Sequence, residues 1–326
     1  MPSRHIAYGG MEIKMELISV IVPCLNEEEA IEIFYRTFFD TVEMFHIPVD
    51  YELIFVDDGS TDASLNLMRS IAKYDRRVHY ISFSRNFGKE GAMLAGLKAA
   101  RGDYVAIMDV DLQDPPRLIE QMYNKIKEGG YDCIAAKRSD RKGEPPLRSF
   151  MADRFYSFVN KISDTEIVRG ARDFRLMSRR MVNSVLELGE YNRFSKGIFS
   201  WVGYNTAWIS YDNIERSAGK TKWSLKKLID YSLDGIVAFS TKPLAIASVL
   251  GIACLVVALI FILVIIVKTL IWGDPVAGYP SLICVILLIG GLELFTIGIV
   301  GQYLAKLYLE VKNRPKYITK ETDIRS

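Results

Sequence analysis

The stretch from residue 105 to residue 116, VAIMDVDLQDPP, predicts a buried strand that ends in a group of carboxylates. Residues 104–108 are apolar, and Pro115-Pro116 end the strand. Because side chains alternate along a strand, Asp109 and Asp111 point to the same side, about 6.6 Å apart. Carboxylates this close favour a cation between them, and Mg²⁺ or Mn²⁺ prefers oxygen ligands and commonly carries substrate phosphates. The alternative is a solvated acidic loop, which the preceding strand and the following diproline disfavour.

Composition divides the chain into a charged part and an apolar part. The 326 residues allow about two domains. The 41 basic and 39 acidic residues nearly balance, so no nucleic-acid partner is expected. A charged first two-thirds is followed by an apolar last third, which predicts a soluble domain joined to a membrane part. The four cysteines are scattered without a CxxC spacing, which disfavours zinc sites and disulfide frameworks.

The charged part alternates apolar segments with stretches of helical periodicity. Strands that are apolar throughout and separated by helices predict an α/β fold whose parallel sheet is covered on both faces. Ligands of such sheets lie at the carboxyl ends of the strands. Polar clusters follow four of the predicted strands: Asn26-Glu27, Asp57-Asp58, Arg85-Asn86 and Asp109 to Asp114. The sequence therefore predicts that one site forms where these clusters meet.

Two common nucleotide-binding motifs are absent from the sequence. No GxGxxG follows the first strand, and no GxxxxGK[ST] occurs, so dinucleotide redox chemistry and P-loop chemistry are disfavoured. The predicted site combines acidic strand ends, a metal, and the basic residues Arg85 and Lys89. This combination suggests a nucleotide-sugar as the ligand.

Four motifs together resemble those of a known enzyme family. PCLNEE, FVDDGSTD, SRNFGKEGAMLAGL and MDVDLQDPP, in this order, are similar to motifs of the GT-A-fold family 2 glycosyltransferases. More narrowly they resemble the polyprenyl-phosphate glycosyltransferases, which include dolichyl-phosphate mannose synthases and bactoprenol glucosyltransferases. The resemblance covers about residues 17–225 and continues into the membrane part. It implies a GT-A-type nucleotide-sugar-binding domain with a mostly parallel sheet and a divalent metal cofactor, Mg²⁺ or Mn²⁺.

The resemblance also implies roles for residues at the strand ends. The donor nucleotide and its sugar would be held by Pro23, Asn26, Glu27, Asp58, Arg85, Lys89 and Asp109. Metal ligation would fall to Asp111, which also counts as catalytic, with Gln113 beside it.

Asp173 is the candidate on the acceptor side of the site. The pattern DFRL at 173–176 resembles a family segment whose carboxylate faces the acceptor, so Asp173 is interpreted as a catalytic base or an acceptor-orienting group. The alternative is an aspartate paired with Arg172 or Arg175 for structure alone. Residues 138–146 form a basic, turn-rich segment that either lies over the sugar nucleotide or is a solvated loop.

A basic motif precedes the apolar part of the chain. The sequence RSAGKTKW at 216–223 resembles the family's acceptor-phosphate motif, which makes Arg216, Lys220 and Lys222 candidates for binding a lipid phosphate. A juxtamembrane patch attracted to anionic lipid would have much the same composition. Residues 223–242 then predict an amphipathic interfacial helix.

Residues 243–305 predict two transmembrane helices. Pro243 to Val267 contains 25 residues without a charge, and residues 280–305 contain one, Glu293. Basic residues flank both predicted spans on one side, so we expect a multi-pass plasma-membrane protein with its catalytic domain and both termini in the cytoplasm. A carboxylate at mid-membrane usually faces protein or water, so Glu293 suggests the contact of a homo-oligomer.

The predicted division of the chain has five parts. They are a disordered extension at 1–14, a glycosyltransferase domain at 15–222, the interfacial helix at 223–242, two transmembrane helices at 243–305 and a cytoplasmic tail at 306–326.

The predicted reaction is transfer of a sugar, with inversion, from a nucleotide to polyprenyl (undecaprenyl) phosphate at the cytoplasmic membrane face. The metal and basic groups would stabilise charge on the leaving nucleoside diphosphate. UDP-glucose is the expected donor, with UDP-N-acetylglucosamine and GDP-mannose as the competing donors. A processive polysaccharide synthase is a competing interpretation, although such enzymes usually have more membrane helices and a QxxRW-type motif. A second competing interpretation is a non-catalytic membrane scaffold that binds nucleotide-sugar.

Overall fold

The computed structural model describes residues 5–8, 11–138, 171–212, 242–272 and 278–324. The strands are β1 (His5–Tyr8), β2 (Met11–Lys14), β3 (Glu16–Cys24), β4 (Val49–Asp57), β5 (Val78–Phe83), β6 (Tyr104–Ile107), β7 (Cys133–Arg138), β8 (Ala171–Ser178), β9 (Thr206–Tyr211) and β10 (Thr319–Thr322). The helices are α1 (Glu28–Val42), α2 (Ser64–Tyr74), α3 (Lys89–Ala99), α4 (Leu118–Gly129), α5 (Arg179–Glu187), α6 (Ser195–Trp201), α7 (Lys242–Trp272) and α8 (Tyr279–Val311).

In the described part of the chain, eight strands form one sheet in the order β10-β5-β4-β3-β6-β8-β7-β9. The strands β5, β4, β3 and β6 at its centre are mutually parallel, which confirms the predicted α/β fold with a mostly parallel sheet. Strand β8 runs antiparallel between β6 and β7, and β9 is parallel to β7. The carboxyl ends of the four central strands therefore lie along one edge.

Alternating apolar residues of the sheet build two core layers. On one face Val20 and Val22 pack with Phe34 and Phe38 of α1, in a layer that also includes residues of α2 and α4. On the other face Ile21 belongs to a layer formed with residues of α3, α5 and α6. Strands that are apolar on both sides bury both of their faces, which is the pattern that the sequence predicted.

Helix α3 packs unusually close to the sheet at one glycine. A Cβ atom built on Gly96 would lie 2.2 Å from Cγ2 of Ile21. Only a residue without a side chain leaves room for Ile21 at this position. This close contact fixes the helix that carries Lys89 at its first position.

Helices α7 and α8 are long and apolar enough to cross a membrane. Their most apolar windows are Leu244–Phe261 and Leu288–Val311, with mean hydropathies of 2.9 and 1.5, and almost none of the residues in these windows is buried. Glu293 is exposed on α8 in the single chain. Helix α8 continues to Val311, six residues beyond the predicted end of the second span.

The segment after α8 enters the sheet, although the sequence predicted only a tail. Strand β10 pairs antiparallel with β5 at the sheet edge, and the ring of Tyr317 stacks on Phe83 with 4.9 Å between centroids. Arg69 donates from Nε and Nη2 to the two carboxylate oxygens of Glu321, each at 2.6 Å. The strand, TKET, is short and polar, so it lacks the apolar pattern from which strands are predicted.

The N-terminal segment also differs from its prediction. Strands β1 and β2 form a hairpin with His5 opposite Lys14 and Tyr8 opposite Met11, where disorder was predicted for 1–14. The sequence between the two strands is Gly9-Gly10, a dipeptide that favours two-residue hairpin connections. The predicted interfacial helix at 223–242 lies outside the described residues, apart from its last residue.

Candidate functional site

The loops that follow β3 and β4 are joined at the sheet edge through Asn26 and Glu27. Asn26 has a left-handed backbone (φ 51°), its amide N–H donates to Ser60 Oγ at 2.9 Å, and its Oδ1 accepts from the Thr61 amide at 2.8 Å. The amide of Glu27 donates to Ser64 Oγ at 2.9 Å. Pro23, on β3, lies opposite Val56 of β4. These contacts hold the proposed nucleotide-binding loops in one arrangement.

Asp58 positions the loop that carries Arg85. The carboxylate of Asp58 is almost fully buried and accepts hydrogen bonds from the amides of Phe87 at 2.7 Å and Gly88 at 2.9 Å. Burial raises the pKa of Asp58 above its ordinary value, although the two backbone donors oppose this. The exposed guanidinium of Arg85 lies over the ring of Phe87, 4.1 Å from its centroid. In this structure Asp58 therefore acts on the loop, while Arg85 remains accessible.

Lys89 forms an ionic bridge between the two sides of the site. Its Nζ lies 2.6 Å from Asp109 Oδ1 and 2.6 Å from Asp173 Oδ2. The sheet explains the geometry, because Ile107 pairs with Arg175 on antiparallel strands, and Asp109 and Asp173 stand two residues beyond that pair. The structure thus brings together three residues that the sequence singled out separately.

Charge in the bridge keeps Asp173 ionised. Burial would raise the pKa of Asp173, but Lys89 and Lys196 outweigh it and hold this pKa well below its ordinary value. Burial likewise opposes the charge on Lys89, yet Asp109 and Asp173 raise its pKa above the usual range. A carboxylate held this acidic accepts a proton poorly, so Asp173 is better suited to orienting a partner than to general-base catalysis.

The carboxylate segment after β6 has a strained backbone. Leu112 has a φ of 55°, a conformation that non-glycine residues adopt rarely and that clusters at functional sites. Asp111 Oδ1 accepts from the Gln113 amide at 3.2 Å. Asp114 is buried and accepts from Arg172 Nε at 3.3 Å and from the hydroxyl of Tyr211. Asp114 therefore anchors the turn, and Asp111 remains the predicted metal ligand at the strand end.

The donor atoms at this turn fit a divalent ion that brings most of its own ligands. Within the described residues, no group of three or more histidine, cysteine or acidic side chains is placed to hold a metal. Mg²⁺ commonly binds through one or two carboxylates, with water and substrate phosphates completing its shell, and Asp111 can supply that carboxylate. The side-chain oxygen of Gln113 accepts from Arg138 at 3.1 Å and Arg172 at 3.4 Å, so a metal would compete with these arginines for it.

Sequence reasoning missed a second cluster, next to the Lys89 bridge. Glu90 accepts from the backbone amide of Ser195 at 3.1 Å and from its hydroxyl. Burial raises the pKa of Glu90 to about 7, and the charge of Asp173 adds to this effect. Glu90 lies inside the motif SRNFGKEG, but its partner is 105 positions away, so the sequence alone gives no sign of the contact.

An open cavity of about 420 Å³ adjoins this cluster. It is lined by loop 85–91, the loop before α6 and the segment after α8. Its basic lining residues are Arg85, Arg193 and Lys316. The loop that carries Arg85, the loop before α6 and the chain leaving α8 therefore meet at one place.

Several predicted site residues lie outside the part of the chain that the structure describes. They are Arg216, Lys220 and Lys222, the candidates for lipid phosphate, together with residues 139–146 of the predicted basic loop. Arg138, the first residue of that loop, ends β7 beside Gln113.

Comparison with known proteins gives the chain a family context. The family model of Glycosyl transferase family 2 matches residues 19–186. The chain is 44% identical over 305 residues to the bactoprenol glucosyl transferase of Shigella phage SfII, covering 94% of this chain and 98% of that protein. It is 41% identical over 312 residues to the putative glycosyltransferase CsbB of Bacillus subtilis, covering 96% and 94%.

A solved structure with a similar arrangement is that of glucosyl-3-phosphoglycerate synthase from Mycobacterium tuberculosis, in complex with Mn²⁺, uridine-diphosphate-glucose and phosphoglyceric acid. It is 23% identical, covers 68% of this chain and 78% of its own, and superposes with a TM-score of 0.45.

Proposed function

The chain belongs to glycosyl transferase family 2, and on that premise we propose that it transfers glucose from UDP-glucose to polyprenyl phosphate. It is a glycosyltransferase, as its family and its relatives indicate. The observation that carries the finer proposal is the near full-length similarity to proteins named bactoprenol glucosyl transferase, which extends over the two apolar helices as well as the sheet.

In the proposed reaction a phosphate oxygen of the lipid attacks the anomeric carbon of the sugar, and the bond to the nucleoside diphosphate breaks with inversion. The loops holding Pro23, Asn26 and Glu27 would bind the nucleotide, with Asp58 keeping the Arg85 loop in place. Arg85 and Lys89 carry positive charge to the diphosphate side, where charge develops on the leaving group. A divalent ion held by Asp111, with Gln113 beside it, would supply further charge stabilisation there.

Asp173 is proposed to orient the acceptor. A lipid phosphate is already largely anionic at neutral pH, so its attack needs little help from a base. The low pKa of Asp173, caused by Lys89 and Lys196, fits this role. Lys89, which contacts Asp173 and Asp109 at the same time, would link the acceptor side to the donor sugar.

The lipid end of the proposal rests on the apolar helices. Helices α7 and α8 would anchor the enzyme in the plasma membrane as a multi-pass protein, with the catalytic domain and both termini in the cytoplasm. Arg216, Lys220 and Lys222 precede α7 in sequence, and they are proposed to bind the lipid phosphate at the membrane surface. Glu293 on α8 is proposed to lie in a homo-oligomer contact.

A donor panel tests the proposal. Purified full-length protein in detergent is incubated with undecaprenyl phosphate, Mg²⁺ and radiolabelled UDP-glucose, UDP-N-acetylglucosamine or GDP-mannose. We expect labelled lipid with UDP-glucose and little with the others. Labelling from another donor would correct the sugar, while a labelled polymer would favour a processive synthase. Donor binding without any transfer would favour a scaffold.

A further inference from the structure

We propose that Glu90 is a positioning residue for sugar transfer, because its contact with Ser195 sets the positions of Lys89 and Lys196, the two lysines that act on Asp173. The inference rests on the proposed function only for its activity readouts. Glu90 acts through two residues, Lys89 beside it in sequence and Ser195, to which it is hydrogen-bonded.

Glu90 joins the starts of helices α3 and α6. Glu90 is the second residue of α3, and Ser195 is the first residue of α6. The carboxylate of Glu90 accepts from the Ser195 amide at 3.1–3.2 Å through both oxygens, and from the Ser195 hydroxyl. Ser195 is buried, so these bonds are shielded from water. The contact therefore fixes the start of one helix against the start of the other.

A lysine lies next to each residue of this contact. Lys89 precedes Glu90 and binds Asp173 at 2.6 Å. Lys196 follows Ser195 and is a main cationic influence on Asp173 after Lys89. One hydrogen-bonded pair thus sets the separation of the two cations that control Asp173. A shift of about 1 Å in such a group can cost up to about 100-fold in rate.

Charged groups surround Glu90. Asp173 on β8 and Arg193 before α6 act on it electrostatically, and Arg85, Arg193 and Lys316 line the same cavity. Burial is the main reason that the pKa of Glu90 is raised to about 7. Above that pH a second carboxylate charge stands close to Asp173. Binding of an anionic acceptor should therefore weaken as the pH rises from 6 to 8.

The test compares four variants of the full-length protein with the native enzyme. Glu90→Ala removes the contact, Glu90→Gln keeps its shape without the charge, and Ser195→Ala removes only the hydroxyl bond. Ser184→Ala is the matched control, because it removes a serine hydrogen bond to Tyr204 on the same face of the sheet, in which neither Glu90 nor Ser195 takes part. Initial rates with undecaprenyl phosphate are measured from pH 6 to pH 8.

Glu90→Ala should lower kcat about tenfold or more, Ser195→Ala less, and Ser184→Ala not at all. The KM for the lipid should rise with pH more steeply in the native enzyme than in Glu90→Gln. The titration of the lipid phosphate affects both enzymes equally, so the difference reports the charge on Glu90. Glu90→Gln should also restore most of the kcat that Glu90→Ala loses. Native kcat and an unchanged pH profile in Glu90→Ala, with only a lower Tm, would reduce Glu90 to a structural residue and overturn the proposal.

A second measurement does not depend on turnover. A carboxyl group whose pKa is raised by folding stabilises the fold below its unfolded pKa, and this contribution disappears as the pH rises through the folded value. From pH 5 to pH 8 the native protein should therefore lose about 2 °C or more in Tm relative to Glu90→Gln. A constant difference would refute the charge argument, even if the donor panel finds no transfer and the proposed function itself fails.

Discussion

At the scale of single residues, the site depends on a few charges whose partners are distant in sequence. Lys89, Asp109 and Asp173 come from three separate motifs and form one bridge. Asp111 lies near this bridge in sequence but has a different environment, next to the strained Leu112. We therefore propose different roles for the two carboxylates: Asp173 orients the acceptor, and Asp111 binds the metal.

Asp111→Asn tests whether the carboxylate of Asp111 binds the metal. Asparagine keeps the size of the side chain but removes the negative charge that would hold a divalent ion, so transfer should fall at least about 100-fold. The loss should persist at saturating Mg²⁺ or Mn²⁺, and far-UV circular dichroism and Tm should remain close to native. A folded variant that transfers sugar in the presence of EDTA would contradict both the metal proposal and the role of Asp111.

Glu52→Gln tests a buried carboxylate that lies outside the site. Glu52 accepts from Ser19 Oγ at 2.6 Å and from the amide, Nε and Nη2 of Arg101 at 2.7–3.0 Å. Burial would raise the pKa of Glu52, but these donors outweigh it and lower the pKa. At pH 7 the variant should lose about 2–4 kcal/mol of unfolding free energy.

A carboxyl group whose pKa is lowered by folding stabilises the fold at pH values above its pKa in the unfolded chain. This stability is lost as the pH falls through the pKa of the folded state. The difference between native protein and Glu52→Gln should therefore shrink below about pH 4 in chemical denaturation. A difference that does not vary with pH would contradict the assignment of the effect to charge.

The sequence predicted single residues only where local pattern was sufficient. Asp109 and Asp111 follow an apolar strand, so their place at the sheet edge was predictable. The contact of Glu90 with Ser195 was not, because it depends on how α3 and α6 pack. The second ionic partner of Lys89, Asp173, likewise depends on the register of β8 beside β6, which no local pattern encodes.

At the scale of elements, helix α3 determines where the donor-side loop ends. Its position follows from the contact of Gly96 with Ile21 of β3. Its first residue is Lys89 and its second is Glu90, so the helix carries two charged groups of the site. A change in the position of α3 on the sheet should therefore move Lys89 and Glu90 in its first turn.

Gly96→Ala tests this connection. The added methyl would meet Ile21 side-chain atoms at 2.2–3.2 Å, so the helix must shift or Ile21 must change rotamer. Overpacking of this kind costs about 1–3 kcal/mol, and kcat should fall as well because Lys89 moves. Gly189→Ala is the control, since a Cβ there would meet nothing within 4 Å. Native stability in Gly96→Ala would contradict the close packing.

Strands and helices with strong apolar patterns were predictable from the sequence. A polar strand that forms by pairing with a distant strand was not. The four central strands and their helices follow from apolar runs that bury both sheet faces. Strand β10 contains only polar and charged residues, and its place depends on pairing with the exposed edge of β5. Local pattern is uninformative for such a strand because its stability comes from a partner.

At the scale of the whole molecule, β10 joins the apolar helices to the catalytic sheet. The chain leaves α8 at Val311, passes Lys316 at the cavity, and enters the sheet at Thr319. Glu310 on the last turn of α8 accepts from the Tyr191 amide at 2.7 Å, which gives a second connection. Two connections near the cavity, β10 and the Glu310–Tyr191 hydrogen bond, therefore tie the end of α8 to the catalytic domain.

Removal of residues 317–326 tests this connection. The truncated protein loses the Tyr317–Phe83 stack and the pairing of β10, so its sheet should unfold at a lower temperature. If the connection also sets the site relative to the lipid, the KM for undecaprenyl phosphate should rise more than the KM for UDP-glucose. Arg69→Ala is the milder control, since an ion pair exposed to solvent contributes little to stability. Equal kinetics in the truncated and native proteins would contradict the positioning role.

The place of β10 in the chain has a consequence for biosynthesis. Every other strand of the eight-stranded sheet precedes α7 and α8 in sequence, whereas β10 follows both. A nascent polypeptide can therefore collapse most of its sheet early, but the edge of β5 stays open until both apolar helices have left the ribosome. Completion of the catalytic half is thus coupled to translation of the hydrophobic half, and premature termination between them would yield an unfinished enzyme.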